Sequence, residues 1–335
     1  MPEQLFEIAR RTFDTPEFRG IECIEVEAKS VINRIRGGRL PFDYTINPYR
    51  GCTHACTYCF ARPTHTFLDM NAGLDFESKI VVKVNAPDVL RRELAAPRWK
   101  GEHIALGTGT DPYQRVEGRY RLMRGIVHAL IEARNPFSIL TKGTLIVRDI
   151  ELLQTAALHA PVSAAFSIGT LDEQVWRDTE PGTPHPRARI EAVRTLTEAG
   201  IPTGVLMAPV LPGISDDPAQ LRAVVEAAIE AGATHVSPIL LHLRPGVREE
   251  FMPWLEQHHP DLVPRYHALY PKPYASARSS ERLGREVSGM VGAARARWPR
   301  RADSDASGTD RFRRRAALDR GSSERGGVAR QATLW

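Results

Sequence analysis

Cys52, Cys56 and Cys59 fall within eight positions, in the run Gly51-Cys52-Thr53-His54-Ala55-Cys56-Thr57-Tyr58-Cys59-Phe60. With only four cysteines in 335 residues, this clustering is too local for a disulfide framework and reads as a metal site in a reducing compartment. Three thiolates so close together can ligate three irons of an iron–sulfur cubane, with the fourth iron left open to a chelating ligand. A short loop suffices because the cubane irons are close together. Zinc is the competing occupant. It needs a fourth ligand, for which His54 and His65 are candidates, but no second cysteine pair or His-x-x-x-His run completes a familiar structural site. Cys23, alone in Ile21-Glu22-Cys23-Ile24, reads as a small half-buried hydrophobe.

Such a loop needs a scaffold, and the chain offers one of alternating strands and helices. Tyr44 to Pro48, His103 to Gly107, Phe137 to Leu140, Val162 to Ile168, Thr203 to Val210 and Val236 to Leu243 are aliphatic or β-branched runs bounded by Gly, Pro or polar residues. Between them, Pro87 to Ala96, Arg119 to Ala133, Val147 to Leu158, Arg187 to Ala199 and Ala219 to Ala231 carry apolar residues at helical intervals. Strands joined by crossover helices make a parallel sheet that curls in one direction, and six units are too few to close the usual eight-stranded barrel. The expected fold is therefore α/β, an open (β/α)6 partial TIM barrel with functional residues after the strand C-termini. Residues 1–40, which lack clear periodicity, read as an N-terminal extension, 41–245 as the partial barrel, 246–294 as C-terminal helices and 295–335 as a disordered basic tail. The cysteine run follows the first strand candidate, where the barrel mouth would be.

The C-x3-C-x2-C spacing followed by an aromatic resembles the signature of the radical S-adenosylmethionine superfamily. That resemblance implies a [4Fe–4S] cluster held by Cys52, Cys56 and Cys59, with S-adenosylmethionine on the open iron. One electron then cleaves the sulfonium, and the resulting 5′-deoxyadenosyl radical abstracts hydrogen from a substrate. Leu140-Thr141-Lys142, Phe166-Ser167-Ile168, Glu180-Pro181-Gly182-Thr183, Arg189-Ile190-Glu191-Ala192 and Ala208-Pro209-Val210 are similar, in order and spacing, to the spore photoproduct lyase group. Ile46-Asn47-Pro48-Tyr49-Arg50-Gly51, Ala61-Arg62-Pro63-Thr64-His65 and Thr110-Asp111-Pro112-Tyr113-Gln114 look closer to a lyase-like subgroup, DNA repair photolyase-like, with no settled substrate. By this resemblance Tyr58 lies beside the adenine, and Thr110 and Ser167 bond the cofactor's polar ends. Lys142, at a strand end, is placed to pair with the methionine carboxylate. Asp111 either binds ribose hydroxyls or caps the turn before Pro112, and Arg189 is a helix-borne anion contact or an ordinary exposed charge. The lyases carry a hydrogen-donating cysteine after strand two, where this chain has Gly107-Thr108-Gly109-Thr110-Asp111. Either Tyr113 or another tyrosine donates in its place, or the reaction differs.

Charge and chain ends bear on partners. The net charge is +5, yet residues 295–335 hold eleven Arg against five acidic residues, so the body is almost neutral. A basic, Gly- and Ser-rich tail suits a polyanion such as nucleic acid or is simply a solvated segment. The terminal Gln331-Ala332-Thr333-Leu334-Trp335 resembles the peptides by which bacterial repair proteins dock on the sliding clamp, through Gln331, Leu334 and Trp335. A flavodoxin or ferredoxin is the expected electron donor. No stretch approaches the roughly 18 apolar residues of a membrane span, so the chain reads as soluble and cytoplasmic, with no membrane partner. Three functions follow: a radical enzyme acting on nucleic acid in repair or modification; one modifying a protein, peptide or small molecule; or a non-catalytic iron–sulfur interaction protein tethered to the clamp.

Overall fold

The computed structural model describes residues 5–35 and 40–298. Its strands are β1 (Leu5–Thr12), β2 (Glu22–Ala28), β3 (Ile32–Arg34), β4 (Tyr44–Ile46), β5 (Tyr49–Arg50), β6 (Lys79–Lys83), β7 (Ile104–Leu106), β8 (Phe137–Thr141), β9 (Val162–Ser167), β10 (Thr203–Val210) and β11 (Val236–Leu240). The larger sheet has the order β11-β10-β9-β8-β7-β4-β3. From β4 to β11 every neighbouring pair is parallel, and all six of these strands fall where the sequence places them. Each crossover steps the chain one strand further in the same direction, which curls the sheet without closing it. The fold is an open partial barrel.

The segment read as an extension is built into this architecture. β3 pairs antiparallel with β4 at the edge of the larger sheet. β1 and β2 form a second sheet, of order β1-β2-β6-β5, with two strands from the β4–β7 crossover. Periodicity hides these strands because β1 is an edge whose side chains are mostly exposed on both faces. Its pairing with β2 relies on charge: Arg11 Nε lies 2.5 Å from Glu25 Oε1, and Arg10 Nη1 lies 3.3 Å from Glu22 Oε1.

The helical stretches hold with one informative break. Arg119 to Ala133 is not a single helix; it divides into Glu117–Tyr120 and Leu122–Glu132 around Arg121, which has φ of 51°. The fully buried Glu117 carboxylate accepts from Met123 N at 3.3 Å, serving an otherwise unpaired N–H at the start of the second helix. Leu122, Met123, Ile126, Val127 and Leu130 then face the core, each contributing about 2 kcal/mol by the area removed from water. The stretch from Val147 likewise opens with a tighter turn over Thr144–Asp149, and the α-helix runs only over Ile150–Ala157. After β11, helices Arg248–His258 and Val263–Leu269 precede Ala277–Arg297, which packs on Pro218–Glu230 and β11. The first residues of the basic segment, 295–297, are therefore helical, whereas most of that segment, with Gln331, Leu334 and Trp335, lies outside the described residues. Among the described residues no helix is long and apolar enough to cross a membrane.

Glu117 also makes a pH-dependent contribution. It accepts from Tyr49 Oη at 2.5 Å and from Arg148, yet burial outweighs these bonds and pushes its pKa up to about 7. Because the folded value exceeds the usual glutamate value of about 4.3, this site's contribution is greatest at acid pH and falls as pH rises through about 7. The expected result is a loss of roughly 2–3 kcal/mol between about pH 4.5 and pH 8 that is absent in Glu117→Gln. Parallel urea-denaturation profiles for the two proteins across that range would contradict this assignment.

Candidate functional site

The cysteine loop leaves β4 at the C-terminal edge of the parallel sheet. Asn47 stops the strand by turning its side chain to the loop after β7, where its Oδ1 accepts from Gly109 N at 2.8 Å. That second loop needs Gly107, with φ of +90°, because a Cβ there would lie 1.9 Å from Leu140 O. From Gly51 to Thr57 several peptide groups of the cysteine loop are tied to residues outside it. Gly51 O accepts from Thr110 Oγ1 at 2.7 Å and Gln114 Nε2 at 3.1 Å, Cys52 N donates to Phe76 O at 2.9 Å, and Thr53 N donates to Gln114 Oε1 at 2.9 Å. His54 O accepts from Gly182 N at 3.1 Å, Cys56 O from Arg62 Nε at 3.1 Å, and Thr57 N donates to Thr179 O at 3.0 Å. Gly182 approaches so closely that an added Cβ would stand 2.1 Å from Thr53 O.

These ties hold the three thiols in a shared, largely dry region. Cys52 and Cys56 are buried and Cys59 partly so; Cys59 packs against the apolar neighbours of both others. Burial, reinforced for Cys52 by Asp111, Cys59 and Cys56, raises all three thiol pKa values, that of Cys56 to about 12. Lys142, at the end of β8, is partly buried beside them, with its Nζ 5.5 Å from the centroid of the Tyr58 ring. Burial opposes its charge, but Cys56 and Glu180 outweigh it and hold its pKa above the ordinary lysine value. Among the described residues this ammonium has no ion pair.

Behind Tyr58 stands a buried network that the sequence did not announce. Tyr58 Oη donates to Glu180 Oε1, and Arg189 Nη2 pairs with Glu180 Oε2 and donates to Thr183 Oγ1 at 2.6 Å. Arg189 Nε donates to Pro184 O at 2.9 Å and its Nη1 to Ser167 O at 3.0 Å. Arg189 is therefore no exposed charge. It is fully buried, and its bonds go to protein. Ser167 Oγ donates to Ala208 O at 2.7 Å. Asp111 accepts from Lys142 N and Thr141 Oγ1, both at 2.6 Å, and from Tyr113 N at 2.9 Å, with His54 Nδ1 at 3.4 Å. Burial works against its ionisation, but the neighbouring His54 and these hydrogen bonds prevail, bringing its pKa to about 2. Both its oxygens are committed, so it caps the turn before Pro112.

The candidate hydrogen donor Tyr113 has its ring in the main core and its hydroxyl buried near Asp149 and Glu117, away from the three thiols' loop. His54 and His65 are held as loop residues, His54 Nδ1 by Asp111 and His65 Nε2 by Lys79 O at 3.0 Å, while His65 Nδ1 is buried without a partner. Sequence reasoning missed Gln114 and Arg62 as loop supports. Both lay inside quoted motifs, but a polar side chain in a loop gives no local sign of where its bonds will go.

Residues 46–228 match the Radical SAM superfamily. The chain belongs to that superfamily. An uncharacterised protein of Mycobacterium tuberculosis is 48% identical over 283 residues, covering 84% of this chain and 83% of that one. The Radical SAM Nalpha-GlyT isomerase of Pseudomonas phage M6 is 27% identical over 193 residues, 56% of this chain and 37% of that one. The fold is also that of a solved spore photoproduct lyase complexed with dinucleoside spore photoproduct, with TM-score 0.57, 17% identity and coverage of 84% and 83%.

As a radical SAM enzyme the protein uses a [4Fe–4S] cluster and S-adenosylmethionine, and the residues present fit that pair. Among the described residues no three His, Cys, Asp or Glu side chains gather into a single-ion site. A cubane asks for less convergence, because its thiolates bind separate irons. The Thr53 and Thr57 hydroxyls in the same loop are buried without partners, as polar groups beside a missing ligand would be.

Proposed function

We propose that Cys52, Cys56 and Cys59 hold three irons of the cluster and that the enzyme removes a hydrogen atom from nucleic acid, in repair or modification. The observation that carries this reading is one loop that carries three buried or partly buried cysteines beside the Lys142 ammonium and the Tyr58 ring, at the C-terminal edge of the parallel strands. When bound, the reduced cluster and S-adenosylmethionine supply a 5′-deoxyadenosyl radical. Lys142 pairs with the methionine carboxylate, Tyr58 offers a ring face to the adenosine, and the Glu180–Arg189 pair keeps that ring in place. Thr110, Asp111 and Ser167 act at one remove, through the loops they tie down. The loop ties exclude water from the reacting centre.

Three observations favour nucleic acid. A cleft of about 510 Å³ opens beside His54, lined by Arg115 and Arg119 against one carboxylate, Glu17, and this net positive charge suits a phosphate backbone. A lyase of the same fold holds a dinucleoside. Residues 295–335 add eleven Arg against five acidic residues, and Gln331, Leu334 and Trp335 would dock on a sliding clamp. A flavodoxin or ferredoxin supplies the electron. The test is anaerobic reconstitution with deuterated damaged and undamaged nucleic acids. Deuterium appearing in 5′-deoxyadenosine is expected; cofactor cleavage that transfers no label from any nucleic acid would defeat the substrate assignment and favour a protein, peptide or small molecule.

A further inference from the structure

We infer that Gln114 is a positioning residue that sets the direction of the Cys52 thiol; the inference rests on the proposed role of Cys52 as a cluster ligand. Gln114 is fully buried. Its Nε2 donates to Gly51 O at 3.1 Å and to Thr110 Oγ1 at 2.9 Å, and its Oε1 accepts from Thr53 N at 2.9 Å. Gly51 O and Thr53 N belong to the two peptide planes that flank the Cys52 α-carbon. The first plane is held again where Cys52 N donates to Phe76 O at 2.9 Å and where Thr110 Oγ1 donates to Gly51 O at 2.7 Å. Peptide units are rigid, so holding both planes leaves φ and ψ of Cys52 no freedom and fixes its Cα–Cβ bond, from which the thiol can reach only the few staggered χ1 positions. An amide does this from one side chain because it donates through its nitrogen and accepts through its oxygen at once. A carboxylate at the same place keeps an acceptor for Thr53 N but faces Gly51 O with like partial charge. A leucine satisfies neither group, leaving Thr53 N buried and unpaired and Gly51 O held by Thr110 Oγ1 alone.

The anchoring comes from the neighbouring loop, after β7, so this ligand's geometry is set by a different crossover from the one that carries it. Gln114 N donates to Asp111 O at 3.4 Å, and Asp111 is itself bonded to Lys142 N at 2.6 Å. One short chain of contacts thus links the Cys52 backbone with that of Lys142.

The experiment compares wild type, Gln114→Leu and Gln114→Glu with Asn135→Ala. Asn135 is also a buried amide, bonded to Trp99 Nε1 at 2.7 Å, Glu102 O at 3.0 Å and Pro136 O at 2.9 Å, but it sits at the N-terminal end of β8. All four full-length proteins are reconstituted anaerobically; iron release to a chelator, the reduced cluster's paramagnetic resonance line shape and the melting temperature are measured. Iron release about tenfold faster in Gln114→Leu is expected, with Gln114→Glu between it and wild type. Both Gln114 variants should show an altered line shape, whereas Asn135→Ala lowers the melting temperature and keeps wild-type release and line shape. Wild-type release and line shape in the Gln114 variants, or equal acceleration in Asn135→Ala, would overturn the inference. If Gln114→Leu does not fold, Gln114→Glu carries the same comparison. A wild-type chain that takes up no cluster defeats the underlying assignment, and this inference with it.

Discussion

Alanine in place of Cys56 is expected to abolish both iron–sulfur absorbance and reductive cleavage of S-adenosylmethionine, with equal losses for Cys52→Ala and Cys59→Ala. The reason is that no further cysteine stands nearby to substitute. Among the described residues the other cysteine, Cys23, is fully buried in β2 within the main core, and burial pushes its thiol up to about 11. His54 and His65 are already bonded to Asp111 and Lys79. Burial also keeps the three thiols protonated while iron is absent, so cluster assembly must displace those protons and uptake should slow as pH falls. Anaerobic reconstitution followed by absorbance, iron counting and product chromatography checks each variant. Any of the three that keeps its cluster and its cleavage activity would remove that cysteine from the ligand set. Stoichiometric zinc in colourless wild-type protein would remove them all.

Arg189→Met is the second large effect, and it falls on stability before activity. Removing one member of a buried ion pair leaves the other charge uncompensated, at a cost of roughly 3–5 kcal/mol. Here the abandoned partner is Glu180, fully enclosed and also bonded to Tyr58. In the wild type, burial favours the neutral acid, but Arg189, Lys142 and Tyr58 prevail and hold the Glu180 pKa below the usual carboxylate range. A folded value below the unfolded one means that this carboxylate stabilises the fold above about pH 4.3 and ceases to as pH falls through the depressed value. Arg189→Met should lose that increment at neutral pH and show less acid sensitivity at this site. Adding Glu180→Gln to Arg189→Met should restore part of the stability, because no unpaired charge then remains. Urea denaturation of the single and double variants measures both terms. A single variant within about 1 kcal/mol of wild type would mean that the pair is not the pillar described.

Much of the scaffold was legible along the chain. The six parallel strands fall where aliphatic runs bounded by Gly and Pro place them, since buried parallel strands need such runs and the crossovers need amphipathic helices. The edge strand β1 was not, because an exposed strand held by Arg10, Arg11 and their glutamate partners carries no apolar alternation. The division at Arg121 also escaped notice. It depends on a carboxylate folding back to cap Met123, which the apolar pattern of Leu122–Glu132 does not encode.

The candidate site divides along the same line. Three cysteines at close spacing declare a metal site from local sequence, because one short loop carries all the ligands. Lys142 is anticipated by ending a strand, since strand ends lead to the mouth. The duties of Thr110, Asp111, Gln114 and Arg189 emerge only on folding. Their partners include Gly51, Lys142, Thr53 and Ser167, brought close by the crossovers and not by sequence spacing. A hydrogen-bonding side chain shows locally what it can donate or accept; which buried group it must satisfy is decided by the packing of the whole sheet.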